Sequence, residues 1–272
     1  MSISSVDIDE LVSVATEAAS AGAQTALQWW HRRAELTVET KSGPDDLVSA
    51  ADREAESAIR DVLSRLRPRD AVHGEEGGAS DVAADVLWWL DPIDGTTSFL
   101  YGRADWSVSV AAMDTGSGEI LAGVVCEPVL DRLTWAGSGA GTWAEGNRCQ
   151  VNTPELARAL VDLGLGRADQ RLVASLVMGA LTAPVRDIRR GGSAAAALAH
   201  LATGRCDAAW LPGLQPWDGA AGVLLAVEAG AAVGDLLAPS GNQWPAGGNV
   251  LAAGPDLWES LRELLAPLYV TG

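Results

Sequence analysis

Asp91 and Asp94 stand three residues apart, directly after the apolar run Val86-Leu87-Trp88-Trp89-Leu90. Five apolar residues bounded by polar punctuation read as a buried strand. Asp91 then falls at the strand's end, with Asp94 across a turn that contains Pro92. Two carboxylates held so close repel unless a cation lies between them. Gly95 and Thr96 follow, and they read as a turn into a helix start, where free backbone N–H groups favour an anion. A cation site beside an anion site is the arrangement needed for metal-assisted chemistry on a phosphate.

Further acids join this pair. Glu75 lies in His73-Gly74-Glu75-Glu76-Gly77-Gly78, after the short apolar stretch Ala71–Gly74. If that stretch neighbours the Val86–Leu90 strand, Glu75 arrives at the same sheet end. Asp218 precedes a strongly apolar helix, where an aspartate also serves as an ordinary N-terminal cap. Asp52 sits near another helix start and carries the same double reading, since negative charge is favourable there. The three histidines, His31, His73 and His200, have no ligand spacing. An oxygen-only donor set points to a hard cation, Mg²⁺ ahead of Mn²⁺, rather than to zinc. Lys41, the only lysine in the chain, opens the loop Ser42-Gly43-Pro44-Asp45-Asp46.

The elements that must position these groups alternate in type. Ser5–Arg33 reads as an amphipathic helix, capped by Ser5 or Asp7, and Glu35–Glu39 as a strand. A second helix spans Ser49–Leu66. Trp106–Ala112, Ile120–Cys126 and Arg132–Ala136 form an antiparallel meander. Gly137-Ser138-Gly139-Ala140-Gly141 looks like a nucleotide-binding loop, but it lies between β-like segments and reads as a hairpin turn. Helices are expected at Ala168–Leu181, from Gly191-Gly192-Ser193 to Thr203, at Gly219–Ala229 and at Asp256–Leu265. Strands are expected at Val185–Arg190, Asp207–Leu211 and Asn249–Ala253. The alternation favours an α/β layer over a bundle.

The chain of 272 residues is long enough for one large domain or two lobes, here divided as 1–147 and 148–272. Its formal charge, 19 − 36 = −17, argues against nucleic acid or an anionic membrane as partner. It leaves phosphate substrates open, because a bound cation inverts the local field. Cys126, Cys149 and Cys206 are scattered, and read as buried free thiols in a reducing cytoplasm. The N-terminus shows no signal-peptide pattern, and no apolar run approaches bilayer length.

Asp91-Pro92-Ile93-Asp94-Gly95-Thr96-Thr97-Ser98-Phe99, Gly74-Glu75-Glu76 and Trp217-Asp218-Gly219-Ala220-Ala221-Gly222 together resemble the signatures of the inositol monophosphatase superfamily. Lys41-Ser42, Asp46-Leu47-Val48 through Asp52, and Gly192-Ser193-Ala194-Ala195 extend the likeness over nearly the whole chain. The resemblance implies a layered αβαβα sandwich, an α/β (α+β) fold with an N-terminal antiparallel sheet and a C-terminal mixed sheet, assembled as a homodimer. It implies hydrolysis of a small phosphorylated metabolite with two or three Mg²⁺ ions. Glu75, Asp91, the Ile93 carbonyl, Asp94 and Asp218 then match metal ligands. Thr96 matches the residue that orients or deprotonates the attacking water, with Asp52 behind it, and Glu75 and Asp94 share that catalytic set. The amides of Gly95 and Thr96 hold phosphate, Lys41 lies near the catalytic loop, and Gly192, Ser193 and Ala194 line the alcohol's side.

Leu211 departs from the pattern. Family members acting on inositol phosphate often carry a glutamate seven residues before the last metal aspartate. The helix end Glu228-Ala229-Gly230-Ala231 also lacks the more usual second glycine, a matter of local packing. Inositol 1-phosphate is the expected substrate, histidinol phosphate the next, with sugar bisphosphates and adenosine 3′,5′-bisphosphate still open. An aspartyl-nucleophile mechanism fits poorly, since it needs two aspartates two residues apart. A non-catalytic, metal-stabilised scaffold is the reading from another class.

Overall fold

A computed structural model of the chain describes residues 7–40, 47–80, 82–236 and 238–269. Helix α1 (Ile8–His31) starts where the Asp7 carboxylate accepts hydrogen bonds from the amides of Asp9 and Glu10. It buries a stripe of small residues, including Ala15, Ala18, Ala19 and Gly22. That stripe admits α2 (Ala50–Leu66) at close range: a Cβ on Gly22 would lie 2.6 Å from Ile59 Cγ1. Between the helices, β1 (Val38–Thr40) pairs antiparallel with β2 (Leu47–Ser49). The strand expected over Glu35–Glu39 therefore begins later, because Val38 is the first residue with a partner, and Arg33–Glu35 form a 3₁₀ turn. Lys41 and its loop to Asp46 lie outside the described residues.

The first sheet contains β3 (Ala71–Gly74), β4 (Gly78–Ala79), β5 (Val86–Asp94), β6 (Ser107–Asp114), β7 (Ile120–Glu127), β8 (Arg132–Gly137), β9 (Gly141–Ala144) and β10 (Asn147–Arg148). A short helix, α3 (Thr96–Leu100), interrupts it after β5. The spatial order is β10-β9-β8-β7-β6-β5-β3-β4. The meander is antiparallel as expected, and the glycine-rich segment is a hairpin turn between β8 and β9. The sheet is mixed all the same, since β3 runs parallel to β5. The chain reverses at β4, antiparallel to β3, and must cross back before β5 begins. Trp88, Leu90 and Ile93 face α1 and α2, while Ala111, Ile120 and Val125 face the next layer. This is the two-faced alternation of a strand.

The second sheet holds β11 (Leu160–Leu163), β12 (Asp187–Arg189), β13 (Ala208–Leu211), β14 (Ala232–Gly234) and β15 (Val250–Ala253), in the order β12-β11-β13-β15-β14. β11 runs parallel to β12 and β13, and the other pairs are antiparallel. Helices α5 (Ala194–Ala202) and α6 (Pro216–Glu228) fill the space between the sheets. Helices α4 (Arg171–Thr182) and α7 (Pro255–Leu265) cover the outer face. The result is the αβαβα sandwich. Glycine controls the central spacing: a Cβ on Gly123 of β7 would sit 2.9 Å from Ala221 Cα of α6.

All three cysteines are free, but only Cys206 is buried, while Cys126 and Cys149 are partly exposed. Cys126 is the penultimate residue of β7, and Cys149 follows the edge strand β10. Among the described residues no helix is long and apolar enough to cross a membrane.

Candidate active site

The parallel pairing of β3 and β5 sets Gly74 opposite Leu90, and the Glu75 amide donates to the Leu90 carbonyl at 3.1 Å. Glu75 thus leaves its strand beside Asp91. The strand does not end at Asp91: β5 continues to Asp94 through an irregularity in which Asp91 pairs with Ser109 and Asp94 with Ser107. Three steps on β5 oppose two on β6, the kind of bulge that re-aims side chains at a site. The Ile93 amide donates to Asp91 Oδ1 at 3.0 Å, which closes the turn around Pro92. Gly95 has φ +95°, and the helix that follows runs only from Thr96 to Leu100. The Thr96 hydroxyl donates to the Ile93 carbonyl at 3.2 Å.

The second half of the chain closes onto this floor. Ser193 Oγ donates to Asp94 Oδ2 at 2.6 Å, and the Ala195 amide donates to the same oxygen at 2.6 Å. Ser193 also caps α5, accepting from the Ala196 amide, so the start of that helix is fastened to Asp94. Gly192 must be glycine, because a Cβ there would collide with Ser98 Oγ and the Asp105 carbonyl. Asp218 is the third residue of α6, and its Oδ2 accepts from the Gln215 amide at 2.8 Å. The capping role and a place in the cleft lining coexist in one residue.

Electrostatics mark the same residues. Burial, with a further contribution from Glu75, pushes Asp94 up to about 7, although Ser193 and Ala195 pull it down. Burial and the charge of Asp94 push Asp218 up to about 8. Asp91, 2 % exposed, is raised well above the carboxylate range by burial and by Glu75, Asp94 and Asp218. Each acid opposes the ionisation of the others, and a cation among them reverses that penalty. The donors are all oxygens, which fits Mg²⁺. Among the described residues the acids are not drawn into a tight coordination cluster.

A cleft of about 280 Å³ is lined by the predicted residues Glu75, Asp91, Ile93, Asp94, Gly95, Thr96 and Asp218. Gly192, Ser193, Ala194 and Leu211 line it as well. Lys41 falls outside the described residues, and Asp52 does not line the cleft. Asp52 is 1 % exposed and accepts from the Ser49 amide at 2.8 Å and the Ser49 hydroxyl at 2.7 Å. Burial raises it to about 6, with Glu75 adding to the shift. Among the described residues no hydrogen bond joins Thr96 to Asp52, and the Thr96 hydroxyl donates to the Ile93 carbonyl.

Four residues of the site were not anticipated. Asp162, Arg167 and Arg190 line the cleft. Glu56, 3 % exposed, lies behind it and accepts from the amides of Glu76 (2.8 Å) and Gly77 (2.9 Å) and from Arg60 Nε (2.6 Å). Its carboxylate fills the space a Cβ on Gly74 or Gly77 would need, so the loop that presents Glu75 is wrapped around it. The signal was available: Glu56 sits on the apolar face of α2 between Ala55 and Ile59.

The sequence model described as the inositol monophosphatase family matches residues 7–270. An inositol-1-monophosphatase of Mycobacterium leprae is 41% identical over 238 residues, covering 82% of this chain and 79% of that protein. A Pasteurella multocida protein named Nus factor SuhB is 32% identical over 264 residues, covering 96% of this chain and 97% of that one. The crystal structure of the extragenic suppressor protein suhB from Bartonella henselae superposes with a TM-score of 0.88 at 33% identity, over 94% of this chain and 98% of that one. The acidic floor, the glycine-set closure of α5 upon it and the five-layer sandwich thus accompany extensive similarity, and the chain belongs to the inositol monophosphatase family.

Proposed function

We propose that the protein hydrolyses a small phosphate monoester to an alcohol and inorganic phosphate, with Mg²⁺ as cofactor. Inositol 1-phosphate stands first on family grounds, ahead of histidinol phosphate and other small sugar or nucleotide phosphates. One observation carries the reading: three buried aspartates lining one cleft beside Glu75 are all pushed above the usual carboxylate range, by burial and by their acidic neighbours. Glu75, Asp91, the Ile93 carbonyl, Asp94 and Asp218 would hold two or three ions. When bound, Mg²⁺ supplies the positive charge that lets water attack near neutral pH and offsets charge on the phosphoryl oxygens.

The chain's own residues do the positioning, on which phosphoryl transfer chiefly depends. The amides of Gly95 and Thr96 bind phosphoryl oxygens, and the Thr96 hydroxyl orients the attacking water. Asp52 acts through its neighbour Glu75. Ser193 keeps Asp94 in place, and Gly192, Ala194 and Leu211 shape the space for the alcohol. On the family resemblance, Lys41 would add a cation. The working form is a cytoplasmic homodimer, each chain with lobes 1–147 and 148–272 meeting at the cleft.

The relatives named Nus factor SuhB keep open a second reading, a scaffold without catalysis. A metal-stabilised scaffold would use the same buried acids, so turnover is what separates the two readings. Phosphate release from a panel of the esters named above, present with Mg²⁺ and abolished by chelator, is the expected result. No release from any ester would sink the phosphatase reading.

A further inference from the structure

The cleft lining has a second part, a wall contributed by the C-terminal half of the chain. It is formed by the end of β11 and its following turn, by the segment 190–194, and by 211–214. Among the described residues three side chains there carry charge: Asp162, Arg167 and Arg190. Asp162 is turned inward, 7 % exposed, with the Gly191 amide donating to it at 3.4 Å. Arg167 and Arg190 are exposed, and among the described residues neither guanidinium has a hydrogen bond or an ion pair. Arg189, next in the chain, is paired with Asp187 at 2.6 Å. In a protein with 36 acids against 19 bases, an arginine beside a cleft does not lack a partner for want of acids.

Both cations stand on anchored backbone. Arg167 follows Gly166, whose φ of +63° makes a turn closed against Gln170 and the Pro212 carbonyl. Arg190 leads into Gly191-Gly192, and Gly192 is locked against Ser98 and Asp105. Their charge reaches inward as well, since Arg167 lowers the pKa of Asp218 and Arg190 that of Asp162. The rest of the wall is glycine, proline, leucine, Ser193 and Ala194. The Ser193 hydroxyl already donates to Asp94, which leaves Asp162 as the one carboxylate in this part of the lining. A planar guanidinium fork matches the oxygens of a phosphate or carboxylate, often through two bonds.

We propose that Arg167 and Arg190 hold a second anionic group, a phosphate or carboxylate on the alcohol half of the substrate. The favoured substrates are then esters charged at both ends, ahead of neutral polyol monophosphates such as inositol 1-phosphate. This rests on the phosphatase reading above and narrows it to a substrate class.

The test uses the full chain with Mg²⁺ and two matched pairs: glycerol 3-phosphate against 3-phosphoglycerate, and fructose 1-phosphate against fructose 1,6-bisphosphate. The doubly anionic member of each pair is expected to have a kcat/KM about tenfold higher, chiefly through KM, as one charge-assisted contact supplies. Arg167→Gln with Arg190→Gln brings that ratio to about one, whereas Lys at both positions retains part of it. Calorimetric binding of the same esters to the Asp94→Asn protein reads the preference without turnover. Equal or better hydrolysis of glycerol 3-phosphate overturns the inference and leaves the phosphatase reading standing. So does a preference that survives the double Gln variant. No release from any of the four esters removes the phosphatase reading, and the inference falls with it.

Discussion

The acids of the cleft floor are braced by neighbours, whereas the two arginines that line the same cleft have no partner among the described residues. Asp94 is held by Ser193 and the Ala195 amide, Asp218 by Gln215, Asp91 by Ile93, and the Glu75 loop by Glu56. Like charges brought together need fixed donors to keep them from moving apart. A group that awaits an anionic ligand needs the opposite, an open fork. The floor is therefore suited to one invariant reaction, and the wall to choosing among substrates. This contrast predicts large losses of rate from floor substitutions and smaller changes of preference from wall substitutions.

Asp94→Asn is the strongest test. Its amide oxygen can still accept from Ser193 Oγ and the Ala195 amide, so α5 stays attached and the protein folds. Loss of the negative charge is expected to lower kcat by about 10²-fold or more, the scale of removing one electrostatic group from a preorganised site. Near-normal turnover at saturating Mg²⁺ would take Asp94 out of the mechanism.

Glu56→Ala comes next. It strips the acceptor from two amides and from Arg60 in a buried place, a loss of about 2–4 kcal/mol of stability. Because the Glu75 loop is wrapped around that carboxylate, the Mg²⁺ concentration for half-maximal activity should rise as well. Glu56→Gln keeps an acceptor and should recover part of both. A stability loss with unchanged Mg²⁺ dependence would show that Glu56 braces the fold and leaves the site alone.

The same contrast explains what could be read from sequence. The floor was legible because Asp91–Phe99 is contiguous, and Glu75 lies just ahead of it. The wall was not. Asp162 sits inside β11, the four-residue Leu-Val-Asp-Leu, which shows neither alternation nor a sustained apolar run. That strand exists through its pairing with β12 and β13, a non-local cause. Without β11, Arg167 and Arg190 looked like ordinary surface charges. Glu56 differs: its place on the apolar face of α2 marked it as buried, but not that the Gly74–Gly77 loop folds over it. The direction of β3 depended on the crossover and was equally beyond local pattern. Layer order survived these gaps because the helix stripes and the main strands were found.

Asp218→Asn probes the floor's repulsion at a smaller scale, in protein freed of metal by chelator. The folded pKa of Asp218, about 8, lies above its ordinary 3.8, so its charged form destabilises the native state. That cost is absent below about pH 4, grows as pH rises, and is complete above about pH 8. The variant should then melt near the wild type at pH 4 and above it at pH 8, by about 1–3 kcal/mol of stability. Added Mg²⁺ should raise the wild-type melting temperature more than the variant's. A variant less stable at pH 8 would mean that its capping bond to Gln215 outweighs the repulsion.

Leu211→Gln addresses the wall and should have the smallest effect. Leu211 is 4 % exposed and lines the cleft, so a side chain of similar length with a polar end can reach the alcohol's space. Placing an amide there costs about 1–2 kcal/mol of stability where it is not hydrogen-bonded. In return it offers hydroxyl groups a partner that leucine cannot. The expected outcome is a few-fold gain in kcat/KM for inositol 1-phosphate relative to fructose 1,6-bisphosphate, with kcat on the bisphosphate little changed. The size of that shift compared with the double arginine variant separates two origins of selectivity. If Leu211→Gln moves the ratio further than losing both guanidinium groups, the wall discriminates by hydroxyl contacts, and the unpaired arginines are not its principal determinant.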